Sequence, residues 1–380
     1  MKILIIAPQP FFTIRGTPLA VKELVAVLTK AGHRVDMITF HLGDDIQLPR
    51  FTIFRNRLLF GVIKSIPPGF SAKKFILDLI LLPRALFMII KNKYQVVHCV
   101  EEAAYFLAWF RWLGRFKMVY DMDSDIPRQL VESGKLKNRF LFQFAQMIER
   151  FAIKKSDAVV TICPVFTAKI RKLFPAKRVF QIEDVSVSDE ITPAEGKAGT
   201  RKVILYTGNL QPYQGVEMLI NGFIRIKDNH PNTELVLIGG EEDQIGGLQK
   251  KYNNRQIIFT GKRPQEEMPR LLGAADILVS PRLKGENTPY KIYSYLACGK
   301  PVLATDIISH SQILANGRDS LLVDPTAAGI ARGLEKLLGD NDFCRIIGEG
   351  ARELFEAKYS RECYQQKIYR YIKFLEGKDD

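Results

Sequence analysis

The stretch YDMDSDIPRQLVE, residues 120–132, sets Asp121, Asp123 and Asp125 at alternate positions with Glu132 seven residues further on. Such spacing could ligate a hard cation, could hold or take a proton, or could simply polarise a turn. The four carboxylates stand where positions 1, 3, 5 and 12 of a calcium-binding loop would be. Position 6 of such a loop needs glycine for its sharp turn, and Ile126-Pro127 fill that bend, so a calcium loop is rejected. An aspartate here can still accept hydrogen bonds from hydroxyl groups, and burial would raise its pKa far enough for it to act as a base. The plain alternative is that Asp123 and Ser124 cap a helix expected over 127–133.

A second stretch suits an anion: SPRLKGENTPYKIYSYLACGKPVLATD, residues 280–306. It follows an apolar run ending in Leu278-Val279. Gly285-Glu286-Asn287 reads as a turn, Thr288 as an N-cap, Pro289 as the first helical residue, and 291–298 as helix stopping at Gly299. Strand, glycine-containing loop and helix start in series present free amides and a positive dipole end to an anion. Arg282, Lys284 and Lys291 add charge. The same residues would serve equally as an ordinary capped helix. Two further glycine turns follow apolar runs: Gly208-Asn209-Leu210, ahead of Tyr213-Gln214-Gly215, and Gly239-Gly240-Glu241. None is G-x-G-x-x-G, so a dinucleotide dehydrogenase finds no support.

These residues need a scaffold. Strand and helix patterns alternate along the chain, the signature of doubly wound parallel sheets. Strands are expected at Lys2–Ala7, Arg34–Phe40, 94–100, 116–120 and 158–162, with a helix over 19–30 closed by Ala31-Gly32. Around 182–200 the pattern dissolves into Asp, Glu, Ser, Pro and Gly. Strands resume at 203–206, 234–238, 256–259, 277–279, 301–304 and 320–323. The fold class is therefore α/β, with two Rossmann-like domains in tandem: residues 1–185, a linker at 186–202, and residues 203–357. Ligands are expected in the cleft between the carboxyl ends of their sheets. An amphipathic helix within 358–380 is expected to cross back to the first domain.

Totals set limits on this scheme. A single core stops growing near roughly 250–300 residues, and the chain has 380, which favours two domains. Five scattered cysteines without C-x-x-C spacing argue for a reducing, cytoplasmic setting and against a zinc site. The start, MKILIIAPQP, is too short an apolar run for a signal peptide. The net charge of +14 lies wholly in the first half: residues 1–180 hold 29 Lys and Arg against 13 Asp and Glu, and the rest hold 26 against 28. That half should be drawn to polyanions such as anionic lipid or phosphorylated substrates. Two basic–apolar stretches, 55–64 and 70–93, read either as interfacial surface or as core helix with snorkelling lysines. Asp78, Pro83 and Arg84 interrupt the longer one, which is not read as transmembrane. No basic–aromatic module points to nucleic acid.

In order and spacing, several motifs together resemble a known family. In the second half they are Gly208…Gln214-Gly215-Val216, Gly239-Gly240, Phe259-Thr260-Gly261, Ala275-Asp276-Ile277 and Glu286…Leu296-Ala297-Cys298-Gly299-Lys300-Pro301-Val302. In the first half they are Gly16, Ala31-Gly32-His33-Arg34-Val35, and Ile148-Glu149-Arg150 ahead of Ser156-Asp157-Ala158-Val159. The whole chain is similar to the GT-B glycosyltransferases of the retaining group 1 (family 4) class. The resemblance implies a hexosyltransferase of cell-envelope or polysaccharide biosynthesis whose second domain binds a nucleotide-sugar. The base would lie by Gly261, Lys262 and Arg263, and the diphosphate on the amides of the 287–291 helix start. Gly208, Asn209, Gln214, Arg282, Asn287, Thr288, Lys291 and Ser294 would surround donor and phosphate, with Glu286 on the donor sugar. The acceptor, a lipid-linked or other glycan, would meet the first domain near Arg15 and Gly16, at an anionic membrane surface. No metal and no cofactor are implied.

The sequence departs from the family at four positions. The second glutamate of the E-x7-E pattern is Ser294. The basic pair of the first glycine loop falls on neutral Asn209 and Gln214, and Arg282 and Lys291 could restore the charge from another direction. A family histidine is replaced by Asp123, whose loop would face the cleft and contact the donor sugar. Asp121-Met122-Asp123 also matches the D-x-D metal motif of the other major glycosyltransferase fold, which the tandem Rossmann pattern disfavours. Two alternatives stay open: a weakly active or non-catalytic binding protein, and a nucleotide-sugar epimerase.

Overall fold

A computed structural model describes residues 1–13, 16–56, 62–66, 71–184 and 201–378. The chain divides into two compact units, Met1–Glu183 with Tyr364–Asp380, and Asp184–Cys363.

The first unit is built on seven strands: β1 (Lys2–Ala7), β2 (Arg34–Phe40), β3 (Phe51–Asn56), β4 (Val96–Val100), β5 (Lys117–Met122), β6 (Ala158–Thr161) and β7 (Arg178–Gln181). They run parallel in the order β3-β2-β1-β4-β5-β6-β7, and the order reverses between β1 and β4. The central strands are runs of Ile, Leu and Val because helices cover both sheet faces. One face carries Leu4, Ile6, Val97, Cys99, Met118 and Tyr120 into a core closed by helices Ala72–Asn92, Ala103–Leu107 and Arg139–Lys155. His98 and Asp121 alternate with those residues and point to the other face, where helix Arg361–Glu376 meets them.

The second unit holds β8 (Lys202–Thr207), β9 (Thr233–Ile238), β10 (Ile257–Gly261), β11 (Ile277–Ser280), β12 (Val302–Thr305) and β13 (Leu321–Val323). Their order is β10-β9-β8-β11-β12-β13, again parallel, with the reversal between β8 and β11. One apolar cluster packs Ile204, Leu235 and Ile277 against helices Val216–Ile224 and Ala327–Gly339. The other packs Leu278, Val302 and the wholly buried Tyr293 and Tyr295 against helix Asn341–Lys358. Both units thus have the doubly wound order in which ligands gather outside the carboxyl ends at the reversal point.

Two strands, Phe51–Asn56 and Arg178–Gln181, were not expected from the sequence. They are the outer strands of the first sheet, half-exposed and interrupted by Arg55 and Arg178, so their apolar signal is diluted. Residues 185–200, most of the expected linker, lie outside the described residues. The stretch 70–93 holds one helix, Ala72–Asn92, with apolar residues on both its buried and its exposed side. Leu77, Leu81, Ala85, Met88 and Ile89 face the core, while Phe75, Ile76, Leu79, Phe87 and Ile90 face out. Among the described residues no helix is long and apolar enough to cross a membrane.

Candidate functional site

In the second unit the carboxyl ends of β10, β9, β8 and β11 bring most of the expected residues together. The Gly208 amide donates to the Ile238 carbonyl at 2.9 Å, and the Gly239 amide donates to the Gly261 carbonyl at 2.8 Å. The three glycine turns are therefore adjacent steps along one sheet edge. Gly208 has φ +141°, and a Cβ there would stand 2.9 Å from Lys291 Nζ and 3.0 Å from the Tyr206 hydroxyl. Only glycine leaves room for the lysine to lie over the turn.

Lys291 is the centre of the arrangement. Its ammonium lies 3.9 Å from the centroid of the Tyr206 ring and donates to Gln214 Oε1 at 3.2 Å. Among the described residues it has no carboxylate partner. Burial, and then the nearby Arg282 guanidinium, hold its pKa well below the ordinary lysine range. A cation kept in a dry place without a counter-ion is a seat for an anion. Gln214, itself buried, is carried by the turn that precedes helix Val216–Ile224. Asn209 holds the same turn: its Oδ1 accepts from Gln211 N at 3.1 Å, and its carbonyl accepts from the Tyr206 hydroxyl at 2.6 Å.

Arg282 is committed to the loop that follows β11. Its Nε donates to the Lys284 carbonyl at 2.6 Å, Nη1 to the Asn287 carbonyl at 2.9 Å and Nη2 to Asn287 Oδ1 at 2.9 Å. Gly285, at φ +114°, lies so close that a Cβ would stand 2.2 Å from Nη2. The guanidinium therefore folds the 284–287 loop around itself and lends the site its field. Glu286, half-exposed, is held through its carbonyl by Gln312 Nε2 at 2.7 Å.

The helix start differs from the expected one. The helix spans Lys291–Ala297, with Tyr290 at the cap position and no side-chain cap. Thr288 does not cap it: Thr288 is 2% exposed, and its buried hydroxyl has no hydrogen-bond partner among the described residues. Ser294 is buried on the same helix. Lys262 and Arg263 follow β10 and are exposed; Lys262 pairs with Glu241 at 2.6 Å.

Sequence reasoning missed the support beneath this loop. His310, fully buried, makes a 2.8 Å bond from Nδ1 to the Thr305 carbonyl and a 2.9 Å bond from Nε2 to the Ser280 hydroxyl. The carbonyl can only accept, so Nδ1 carries the proton and Nε2 accepts from serine. Burial pushes its pKa down to about 3, so the ring stays neutral. Thr305 also donates its hydroxyl to the Arg282 carbonyl at 2.5 Å. These partners lie 5 to 30 residues apart and follow no motif spacing.

In the first unit the carboxylates of the opening stretch diverge. Asp121 Oδ2 pairs with His98 Nε2 at 2.8 Å. Asp125 accepts from the Arg128 amide at 3.1 Å and from Lys169 Nζ at 2.6 Å, and Lys169 also holds Glu149 at 2.7 Å. Glu132 is exposed. The helix here runs Ile126–Glu132 and is capped by Asp125, in place of Asp123 and Ser124, because Asp125 stands next to its first turn. Asp123, 6% exposed, follows β5 beside Ser124, whose hydroxyl donates to Glu101 Oε1 at 2.8 Å. Burial chiefly raises the Glu101 pKa. Among the described residues no group of three or more His, Cys, Asp or Glu is placed to hold a metal. Gly16 opens helix Gly16–Lys30 with open space around it, and Arg15 lies outside the described residues.

Comparison with known proteins follows this division. The family model for glycosyl transferases group 1 matches residues 187–354, and that for glycosyltransferase family 4 matches residues 14–183. An uncharacterized glycosyltransferase of Methanocaldococcus jannaschii is 24% identical over 254 residues, 64% of each chain, so the match spans less than two thirds of that relative. Among solved structures, a sucrose-phosphate synthase from Thermosynechococcus elongatus superposes with a TM-score of 0.82 at 20% identity over 99% of both chains. Anabaena HepE in complex with UDP-glucose superposes with 0.71 at 15% identity, over 98% of this chain and 100% of that one.

Proposed function

Because the chain belongs to the group 1 glycosyl transferases and has their GT-B pair of parallel α/β domains, we propose that it moves a hexose from a nucleoside-diphosphate sugar to a glycan or lipid-linked acceptor, with retention at the anomeric carbon. The observation that carries this reading is Lys291, a half-buried cation with no carboxylate partner among the described residues, laid over Gly208 where strand order reverses. The family's cations in the first glycine loop are absent at Asn209 and Gln214, and the ammonium of Lys291 reaches Gln214 from the opposite side. Lys291 thus takes over the phosphate charge. When the sugar's bond to the diphosphate breaks, negative charge grows on the departing oxygen, and a preorganised cation in a dry site stabilises it. Amides at 287–291 assist, and the Arg282 field adds to them. In the second unit Glu286 accepts hydrogen bonds from sugar hydroxyls and the edge by Gly261, Lys262 and Arg263 takes the base; in the first unit Asp123 is read as a sugar-facing carboxylate. The scheme uses no metal and no cofactor.

The acceptor side is proposed to work at an anionic membrane surface. The support is the outward face of the first unit's helical layer, where Phe87, Ile90, Trp109, Trp112, Phe140 and Phe144 are all at least 49% exposed. Lys91, Lys93, Lys135, Lys137, Arg139 and Lys154, on the same helices or the segments next to them, are exposed, and Lys91 Nζ lies 5.7 Å from the centroid of the Phe87 ring. Exposed apolar side chains and cations on the same segments suit a headgroup interface.

The test is calorimetry with UDP and UDP-glucose, followed by product analysis with membranes present. Binding that is lost in Lys291→Ala supports the reading. No nucleotide binding at millimolar levels overturns it in favour of a non-catalytic protein, and a changed sugar nucleotide formed without acceptor would make the chain an epimerase.

A further inference from the structure

We infer that Tyr371 and His98 are positioning residues for the Asp123 loop, so that helix Arg361–Glu376 acts on the first unit's site through a chain of buried hydrogen bonds. The inference rests on the reading of Asp123 as a sugar-facing carboxylate. The Tyr371 hydroxyl lies 2.8 Å from His98 Nδ1, and His98 Nε2 lies 2.8 Å from Asp121 Oδ2. A carboxylate can only accept, so Nε2 carries the ring proton and Nδ1 accepts from the tyrosine. From Asp121 the chain continues through the backbone: its carbonyl accepts from the Glu101 amide at 2.9 Å. Glu101 has φ +53°, and its Oε1 accepts from the Ser124 hydroxyl at 2.8 Å. Asp123 sits between Asp121 and Ser124, so both sides of its peptide are fastened to one network.

The network does no chemistry itself. His98 is 0% and Tyr371 1% exposed, so neither can touch a substrate. Nor is it needed merely to seat the helix. Tyr371 and Phe374 pack on Phe180 with ring centroids 5.5 and 5.3 Å apart, Lys117 Nζ donates to the Phe374 carbonyl at 2.5 Å, and Lys367 pairs with Glu183 at 2.5 Å. The Tyr371 hydroxyl gives Nδ1 of the buried imidazole its partner, while Asp121 holds Nε2. That fixes the imidazole and, through it, the end of β5.

Tyr371→Phe keeps the ring packing and removes only the hydroxyl, and Lys367→Gln loosens the helix without touching the network. Amide hydrogen exchange on the full chain reads the linkage directly. Tyr371→Phe should speed exchange at Glu101 by about fivefold or more, the worth of one buried hydrogen bond, while Lys367→Gln leaves it unchanged. With UDP-glucose as probe, Tyr371→Phe should lower maximal UDP release by about the same factor with KM within about twofold, and should cost nothing further in an Asp123→Asn background. Nitrogen-15 NMR of the labelled histidines should show His98 protonated at Nε2. Unchanged exchange at Glu101, or equal effects of the two helix variants there, overturns the inference. An Asp123→Asn variant with wild-type turnover sinks the reading of Asp123 alone, since the exchange result stands apart from it.

Discussion

Lys291→Met should weaken UDP binding and stabilise the empty protein, two effects of opposite sign from one residue. A hydrogen bond to a charged group contributes about 1.5–3 kcal/mol, so losing the ammonium should weaken UDP roughly 10- to 150-fold. The charge can then be returned from the other side. Gln214 Oε1 lies 3.2 Å from Lys291 Nζ, so Gln214→Lys places an ammonium in nearly the same spot. Alone, that change sets two cations about 4 Å apart, a repulsion of about 4 kcal/mol at an effective dielectric constant near 20, and should lower the melting temperature. Combined with Lys291→Met it should restore UDP affinity to within about tenfold of wild type. Titration calorimetry and thermal unfolding of the four proteins close the cycle. The pH response follows from the depressed lysine pKa. Below that pKa the folded state carries a charge it would rather shed, so stability rises as pH climbs through it toward the ordinary value. A diphosphate raises the pKa, so UDP should bind with proton uptake and lose affinity at high pH. A Lys291→Met protein that binds UDP like wild type, or a double variant no better than Lys291→Met, refutes the reasoning.

Other outcomes follow from the same geometry. Gly208→Ala should reduce UDP binding more than about tenfold with a smaller loss of stability, since its Cβ displaces Lys291 Nζ; the two are read by calorimetry and melting. Asp123→Asn should lower UDP release from UDP-glucose while leaving UDP affinity within about twofold, a kcat effect without a binding effect. His310, neutral in the fold with a pKa near 3 against about 6.5 unfolded, contributes stability that is complete above about pH 6.5 and is lost as pH falls toward 3, at up to about 1.4 kcal/mol per pH unit. His310→Gln should flatten that part of the stability profile in denaturant titrations. Replacing Trp112, Phe140 and Phe144 together by serine should abolish flotation with vesicles rich in anionic lipid and leave UDP binding intact; retained flotation would deny the outer face this role.

Sequence reading reached the architecture because parallel strands buried on both faces are continuous Val, Ile and Leu runs, as in ILIIA and VILYT. It reached the glycine turns at the ends of β8 and β9 because such turns are local features. It failed where partners are remote. Asp121, Asp123 and Asp125 look alike at alternate positions, yet only the fold shows one turned to His98 and another to Lys169. Thr288 before Pro289 has the form of an N-cap, but its burial removed it from that role and the helix starts three residues later. Tyr371 lies 273 residues from His98, a separation no periodicity reports.

The first unit is assembled from both ends of the chain: residues to Glu183, then Tyr364 onward. On a ribosome its seven-stranded sheet emerges roughly 180 residues before the helix that covers its second face, a delay of about ten to forty seconds at ordinary elongation rates. Throughout that interval the nascent sheet lacks this part of its cover, and His98 waits for its tyrosine. The order of synthesis therefore makes this later-made helix a closing step in the maturation of the earlier-made sheet.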